Sequence, residues 1–309
     1  MKINAGWFGV VLAATVTLSS MAGARLGDPA APLSIKEWVK GKAVDVKDGK
    51  NIYVVEFWAT WCPPCRTSIP HLTEMQKKFK DKGVVMIGVS DETVEKVKPF
   101  VTEQGEKMEY VVACDDGRAT SDGYMTAYGQ GGIPHAFIVS KEGKVIWHGH
   151  PMDGLDTALE QILDGKYDMQ AAIQKDEARA LLAEYQELSG KGDAKAVELG
   201  KKLIASAGND EQALCDFAFG IVTNMRNKNR DFALADEALN KAEKVAGAKT
   251  HRTVGTRSIV RFESGKQDEG IALAKEAAGL AKEEKDRKRY ENYLKVMESR
   301  KAKASAPAK

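Results

Sequence analysis

The sequence predicts an α/β domain, a central mixed sheet flanked by helices, followed by an all-α domain of helical hairpins. Three observations carry this. Residues 51–57 (NIYVVEF) read as a short buried strand that leads into Cys62-Pro63-Pro64-Cys65 and then into a helical pattern over 66–80. Residues 83–90 (GVVMIGVS) are a near-continuous apolar run, the pattern of a strand covered on both faces. Beyond Asp168 tryptophan and proline vanish until Pro307, and alanine, lysine and glutamate dominate.

Taken in order, Lys2 precedes an apolar run over 5–18, and Ala22-Gly23-Ala24 supplies a small-x-small cleavage pattern before Arg25. Residues 1–24 therefore read as a secretory signal peptide. The run is short for a membrane span, and an uncleaved signal anchor is the alternative. Residues 25–165 are expected to form the first domain. It should begin with a short helix around 35–39 and a turn at Asp48-Gly49-Lys50. A strand over 52–57 and a helix ending near 80 follow. A strand over 83–90, a helix over 92–104, a strand over 110–113 and a helix over 119–128 come next. Residues 136–140 and 145–148, joined by Glu142-Gly143, form a hairpin, and a helix over 155–163 closes the domain.

Residues 166–300 break into helices over about 169–188, 193–207, 210–226, 231–246, 250–264, 267–281 and 283–300, separated by glycine- or asparagine-containing links. Small and apolar residues recur at a 36-residue offset: Ala235, Ala238 and Ala242, then Ile271, Ala274 and Ala278. This resembles degenerate helical-hairpin repeats of the tetratricopeptide kind, which stack to expose a concave binding surface; a plain helical bundle is the alternative. Residues 301–309 read as a disordered tail. The basic end from 282 onward lacks aromatic residues interleaved for base stacking, and the chain's net charge is only +2. Nucleic acid is therefore not expected as a partner.

The chemistry concentrates at Cys62 and Cys65. Two thiols separated by two residues can close a reversible disulfide. At a strand-to-helix junction the unpaired amides of the helix N-terminus stabilise a thiolate. A zinc site or an inert disulfide can use the same spacing, but zinc needs a second ligand pair. Cys114 and Cys215 are single and far apart. Cys215 lies in a helical apolar pattern and reads as core. Cys114 reads as a buried thiol, a partner for Cys215 or an accessory redox thiol. His148 and His150 alternate along a strand and so point in opposite directions, and no metal is expected.

Phe57-Trp58-Ala59-Thr60-Trp61-Cys62-Pro63-Pro64-Cys65 resembles the active site of the thioredoxin superfamily, and its WCPPC form is most similar to the TlpA-type secreted thiol–disulfide oxidoreductases. The resemblance extends over about 33–164 and includes Gly131-Gly132-Ile133-Pro134-His135-Ala136-Phe137-Ile138-Val139. It implies a thioredoxin-like fold with Pro134 cis beside the dithiol. It implies that the backbone of Ile133 pairs with the substrate chain. His135 stands where most relatives carry Thr. By the same resemblance Cys62 is the attacking, more exposed thiolate, and Cys65 is the buried resolving thiol. Glu56 is a buried acid with a raised pKa that takes and returns a proton. Trp61 shields the dithiol and shapes the substrate surface. Pro63 and Pro64 keep amide donors away from the sulfurs.

The implied activity is disulfide exchange with protein substrates, in the direction of reduction, without a cofactor beyond the Cys62–Cys65 disulfide. The implied setting is periplasmic or secreted, with a membrane or periplasmic redox partner. The helical domain is expected to bind a client, a partner protein or a second copy. Disulfide isomerase or oxidase activity and a non-enzymatic repeat scaffold are the alternatives. A peroxidase reading lacks its Pro-x-x-x-Thr-x-x-Cys pattern around Cys62.

Overall fold

The computed structural model describes residues 23–304. The expected signal peptide, save Gly23 and Ala24, and residues 305–309 lie outside the described residues. Two compact units divide the chain, the first ending at Ile173 and the second beginning at Gln174.

The first unit has a thioredoxin-like fold. Its strands are β1 (Ile35–Lys40), β2 (Ile52–Phe57), β3 (Val84–Ser90), β4 (Val111–Asp115), β5 (His135–Val139) and β6 (Val145–Gly149), in the spatial order β1-β4-β3-β2-β5-β6. Strand β2 pairs parallel with β3 and antiparallel with β5, so it lies inside the sheet, and all six of its residues are buried. The helices are α1 (Pro63–Phe79), α2 (Val94–Gln104), α3 (Ala119–Ser121) and α4 (Leu155–Leu163). Successive β2 residues feed two apolar layers. Ile52 and Val54 join Ile69, Leu72 and Leu159 on one face, while Tyr53, Val55 and Phe57 join Tyr124 and Phe137 on the other.

The helix expected around 35–39 is instead strand β1, antiparallel to β4. Adjacent residues there serve opposite layers, Trp38 one and Val39 the other. A strand permits that alternation and a helix does not. The helix expected over 119–128 is the single turn α3 followed by a π turn at Asp122–Thr126. Its start is held by Asp115, whose carboxylate accepts from the amides of Thr120 (2.9 Å) and Ser121 (2.7 Å).

An all-α region follows: α5 (Met169–Lys191), α6 (Lys195–Ser206), α7 (Glu211–Thr223), α8 (Phe232–Ala246), α9 (His251–Glu263), α10 (Gln267–Leu280) and α11 (Glu284–Ala304). The boundary between the units falls inside α5. Side-chain caps start α5 (Asp168), α7 (Asp210), α8 (Asp231) and α9 (Thr250 with Thr253). The repeated small residues fall on α8 and α10. Ala235, Ala238 and Ala242 are fully buried, as is Ala274. Helix α11 continues to Ala304, so residues 301–304 of the expected tail are helical. Among the described residues no helix is long and apolar enough to cross a membrane.

Candidate active site

Strand β2 ends at Phe57, and residues 58–61 carry the chain into α1. The Trp58 amide donates to Val89 O (3.2 Å), and the Cys62 amide closes a turn onto Ala59 O (3.2 Å). Cys62 is the N-cap of α1, with extended backbone, and Pro63 and Pro64 are the first two helical residues. Neither proline has an N–H, so two of the amides that a helix leaves unpaired are absent. The first amide available is that of Cys65, which donates to Cys62 Sγ at 3.2 Å. Cys62 and Cys65 are joined by a disulfide. The helix N-terminus thus presents its first available donor to the sulfur of Cys62.

The expected contrast in exposure between the two cysteines is nearly absent: Cys62 is 2% exposed and Cys65 0%. The sulfur of Cys62 faces the loop before β5, 3.8 Å from the carbonyl oxygen of Ile133, and that contact encloses it. Trp61 is 67% exposed, and Pro63 and Pro64 are also exposed. The Ile133–Pro134 peptide is cis, Pro134 is buried and Ile133 is half-buried. The structure thus brings Cys62, Cys65, Trp61, Pro63, Pro64, Ile133 and Pro134 into one neighbourhood.

His135 goes elsewhere. Its ring is buried against Phe137, in the layer opposite Glu56 and the dithiol, and its Nε2 lies 3.0 Å from Nδ1 of His148. A direct contact between this side chain and a substrate has no support in that placement, because residues 135 and 136 of a strand face opposite ways.

Glu56 lies mid-strand, opposite Gly88 of β3 and Ala136 of β5. It is 1% exposed. A Cβ on Gly88 would stand 3.0 Å from Trp58 Nε1 and 3.0 Å from the Tyr110 ring, so glycine lets these groups close over the strand beside the carboxyl. Burial pushes Glu56 up to about 8, opposed by a hydrogen bond from Ser68. Among the described residues its Oε2 has no partner.

Ser68 Oγ lies 3.2 Å from Glu56 Oε1 and 2.9 Å from the carbonyl oxygen of Cys65. A hydroxyl has one proton to donate. With Glu56 protonated, Ser68 accepts from the acid and donates to Cys65 O. With Glu56 ionised, Ser68 donates to the carboxylate instead. Ser68 therefore links the protonation of Glu56 to the turn that carries Cys65. Sequence reasoning missed it. Its signal was a polar residue three positions after Cys65, on the same inward helix face.

Cys114 and Cys215 are buried free thiols, pushed up by burial to about 11 and about 12. His71, near the CxxC in sequence, is engaged by Asp156 (Nε2 to Oδ1, 2.9 Å). Among the described residues no group of three or more His, Cys, Asp or Glu is placed to hold a metal ion.

The AhpC/TSA family model matches residues 26–148, less than half of the chain. The thiol-disulfide oxidoreductase ResA of Bacillus thuringiensis (strain Al Hakam) is 38% identical over 119 residues, covering 38% of this chain and 65% of that protein. The ResA of Bacillus subtilis (strain 168) is 32% identical, covering 38% and 63%. The chain thus spans slightly under two thirds of the length of these relatives. Among solved structures, the thioredoxin domain of a thiol-disulfide oxidoreductase from Bacteroides vulgatus aligns with a TM-score of 0.40 and 28% identity, over 46% of this chain and 99% of that one.

Proposed function

We propose that this chain, which joins a thioredoxin-superfamily thiol–disulfide oxidoreductase domain to a C-terminal helical domain, reduces disulfides in protein substrates outside the cytoplasm. The observation that carries the reading is the Cys62–Cys65 disulfide at a helix N-terminus, with the Cys65 amide on Cys62 Sγ and a buried acid beneath the same turn.

In the working direction the reduced protein begins with a Cys62 thiolate. The thiolate attacks a substrate disulfide, one substrate sulfur leaves as a thiolate, and a mixed disulfide forms. In molecules whose Glu56 is ionised, that buried carboxylate serves as the base for the Cys65 proton, and Cys65 attacks Cys62 Sγ. The second substrate sulfur leaves and takes up a proton. Two electrons have passed from the protein dithiol to the substrate disulfide, and the protein is left oxidised. An external dithiol reductant must reduce it again. Trp61, Pro63 and Pro64 form the exposed border of the dithiol, and the main chain at Ile133 receives the substrate backbone as an added strand.

The helical domain supplies a surface for the client or for a second copy of the chain. A groove of about 480 Å³ lies among α5, α6 and α7, floored by Leu182, Leu203, Phe217 and Ile221, with the exposed Lys175 and Arg179 also lining it. The groove favours disulfide isomerisation as a second reading, since an isomerase must hold its client through several exchanges. The basic start and the apolar run over 5–18 support export to a periplasmic or extracellular space.

Trapping tests the exchange. With a disulfide-bonded protein such as insulin, Cys65→Ser should accumulate a mixed disulfide through Cys62 and turn over at least about a hundredfold more slowly, since the resolving thiol is gone. Cys62→Ser should form no adduct. Equal adduct formation by both variants, or by neither, would sink the assignment.

A further inference from the structure

We infer that Glu92 and Arg66 are positioning residues for Cys62, holding the active-site loop by gripping the main chain of Thr60 from its two ends. This rests on the thiol–disulfide reading above.

Residues 59–61 connect a buried strand to a helix, and Trp61 contributes little anchoring because it is exposed. Thr60 does the anchoring. Its amide donates to Glu92 Oε2 at 2.6 Å, and its hydroxyl donates to Glu92 Oε1 at 3.0 Å. Its carbonyl accepts two bonds from the Arg66 guanidinium, from Nε at 2.9 Å and from a terminal nitrogen at 2.7 Å. Four charge-assisted bonds therefore converge on one residue, two positions before the attacking cysteine. Among the described residues neither Glu92 nor Arg66 is engaged in an ion pair; both are directed at the loop.

The supports of the grip are packed as well. The Arg66 guanidinium lies over the Phe100 ring at 5.4 Å, and Phe100 lies 5.4 Å from the buried Trp58 ring. The Glu92 amide donates to Ser90 Oγ at 3.3 Å. Asp91, its neighbour, is taken by Arg118. Glu92 and Phe100 both come from the segment between β3 and the end of α2, some 30 residues from the dithiol in sequence. That segment fixes the fork of Arg66 and the carboxylate of Glu92, and these fix residues 59–61. The same loop sets the backbone of Cys62, on which the 3.2 Å contact between Cys62 Sγ and the Cys65 amide depends.

Geometry and charge predict different signs. If Glu92 acted only as a nearby anion, removing it would favour the Cys62 thiolate, while removing Arg66 would disfavour it. If both hold the loop, removing either one disfavours the thiolate. The discriminating measurement is the alkylation rate of Cys62 by iodoacetamide against pH, on the full-length reduced chain, with the site assigned by mass spectrometry. Glu92→Ala and Arg66→Met should each slow alkylation at pH 7 by about tenfold, the scale of losing a pair of charge-assisted bonds. Thr60→Val, which removes one bond and no charge, should give a smaller loss in the same direction, and Thr60→Ser should restore the wild-type profile.

Faster alkylation in Glu92→Ala, or an unmoved rate–pH profile in both charge-removing variants, overturns the inference. A role limited to stability would lower the denaturation midpoint and leave that profile unmoved. Exchange of the wild-type dithiol with oxidised glutathione, run alongside, separates the two claims. Wild-type exchange with unaffected variants removes the positioning role alone. Absence of wild-type exchange removes the reading on which it rests.

Discussion

Glu56 has its carboxyl inside the sheet layer, and its ionisation is opposed by burial. Below its ordinary value of 4.5 the group is protonated whether the chain is folded or not, and the opposition is absent. Between there and about 8 the unfolded chain ionises while the folded protein keeps the proton. Stability therefore falls as pH rises through that window, by up to about 1.4 kcal/mol per pH unit from this group alone, and levels off above it. In the oxidised protein, Glu56→Gln should remove this slope. Urea midpoints between pH 5 and 9 measure it, and a wild-type midpoint that climbs where the variant's does not would contradict the account. At this scale much of the site was legible. Cys62, Cys65 and Glu56 announce themselves because thiols at that spacing, and an acid inside an apolar strand, are chemically unusual. Ser68, Thr60, Arg66 and Glu92 were not legible, because their importance lies in hydrogen bonds to main-chain groups and to residues far away in sequence. His135 was misleading for a related reason: its neighbour Pro134 is at the site, but strand alternation turns the imidazole away.

Strong periodicity made most elements readable. The apolar run over 83–90 became the buried β3, and the glycine-broken pattern beyond 168 became seven helices with ends near those expected. The failure at β1 is instructive. An edge strand needs only one partner and is half-exposed, so IKEWVK carries too little apolar alternation to be told from a helix turn. Helix packing also leaves a testable trace. At the crossing of α9 and α10, a Cβ on Gly270 would come within 2.7 Å of Ser258 O and 2.8 Å of the Phe262 amide nitrogen. These are backbone atoms and cannot swing aside. Gly270→Ala should therefore destabilise the helical domain by about 1–3 kcal/mol despite alanine's better helix propensity. Chemical denaturation followed by far-ultraviolet circular dichroism reads this directly. No loss of stability would mean that the two helices do not approach so closely.

The whole molecule is two units, each with its own apolar core: sheet and helices around Val54 and Phe137 in one, Leu214, Ala238 and Val260 in the other. Two cores predict calorimetric unfolding in more than one step, with reduction of Cys62–Cys65 moving only the transition of the N-terminal unit. A single transition shifted as a whole would contradict that independence. The central claim is narrower: the dithiol works as a reductant of protein disulfides. Its most direct test is the reduction potential of the Cys62–Cys65 pair in the full chain, equilibrated against glutathione or dithiothreitol and read by mass spectrometry. The account predicts a potential well below that of the glutathione couple. A value near that of protein disulfide isomerase, or above it, would contradict reduction and assign the chain to forming or shuffling disulfides.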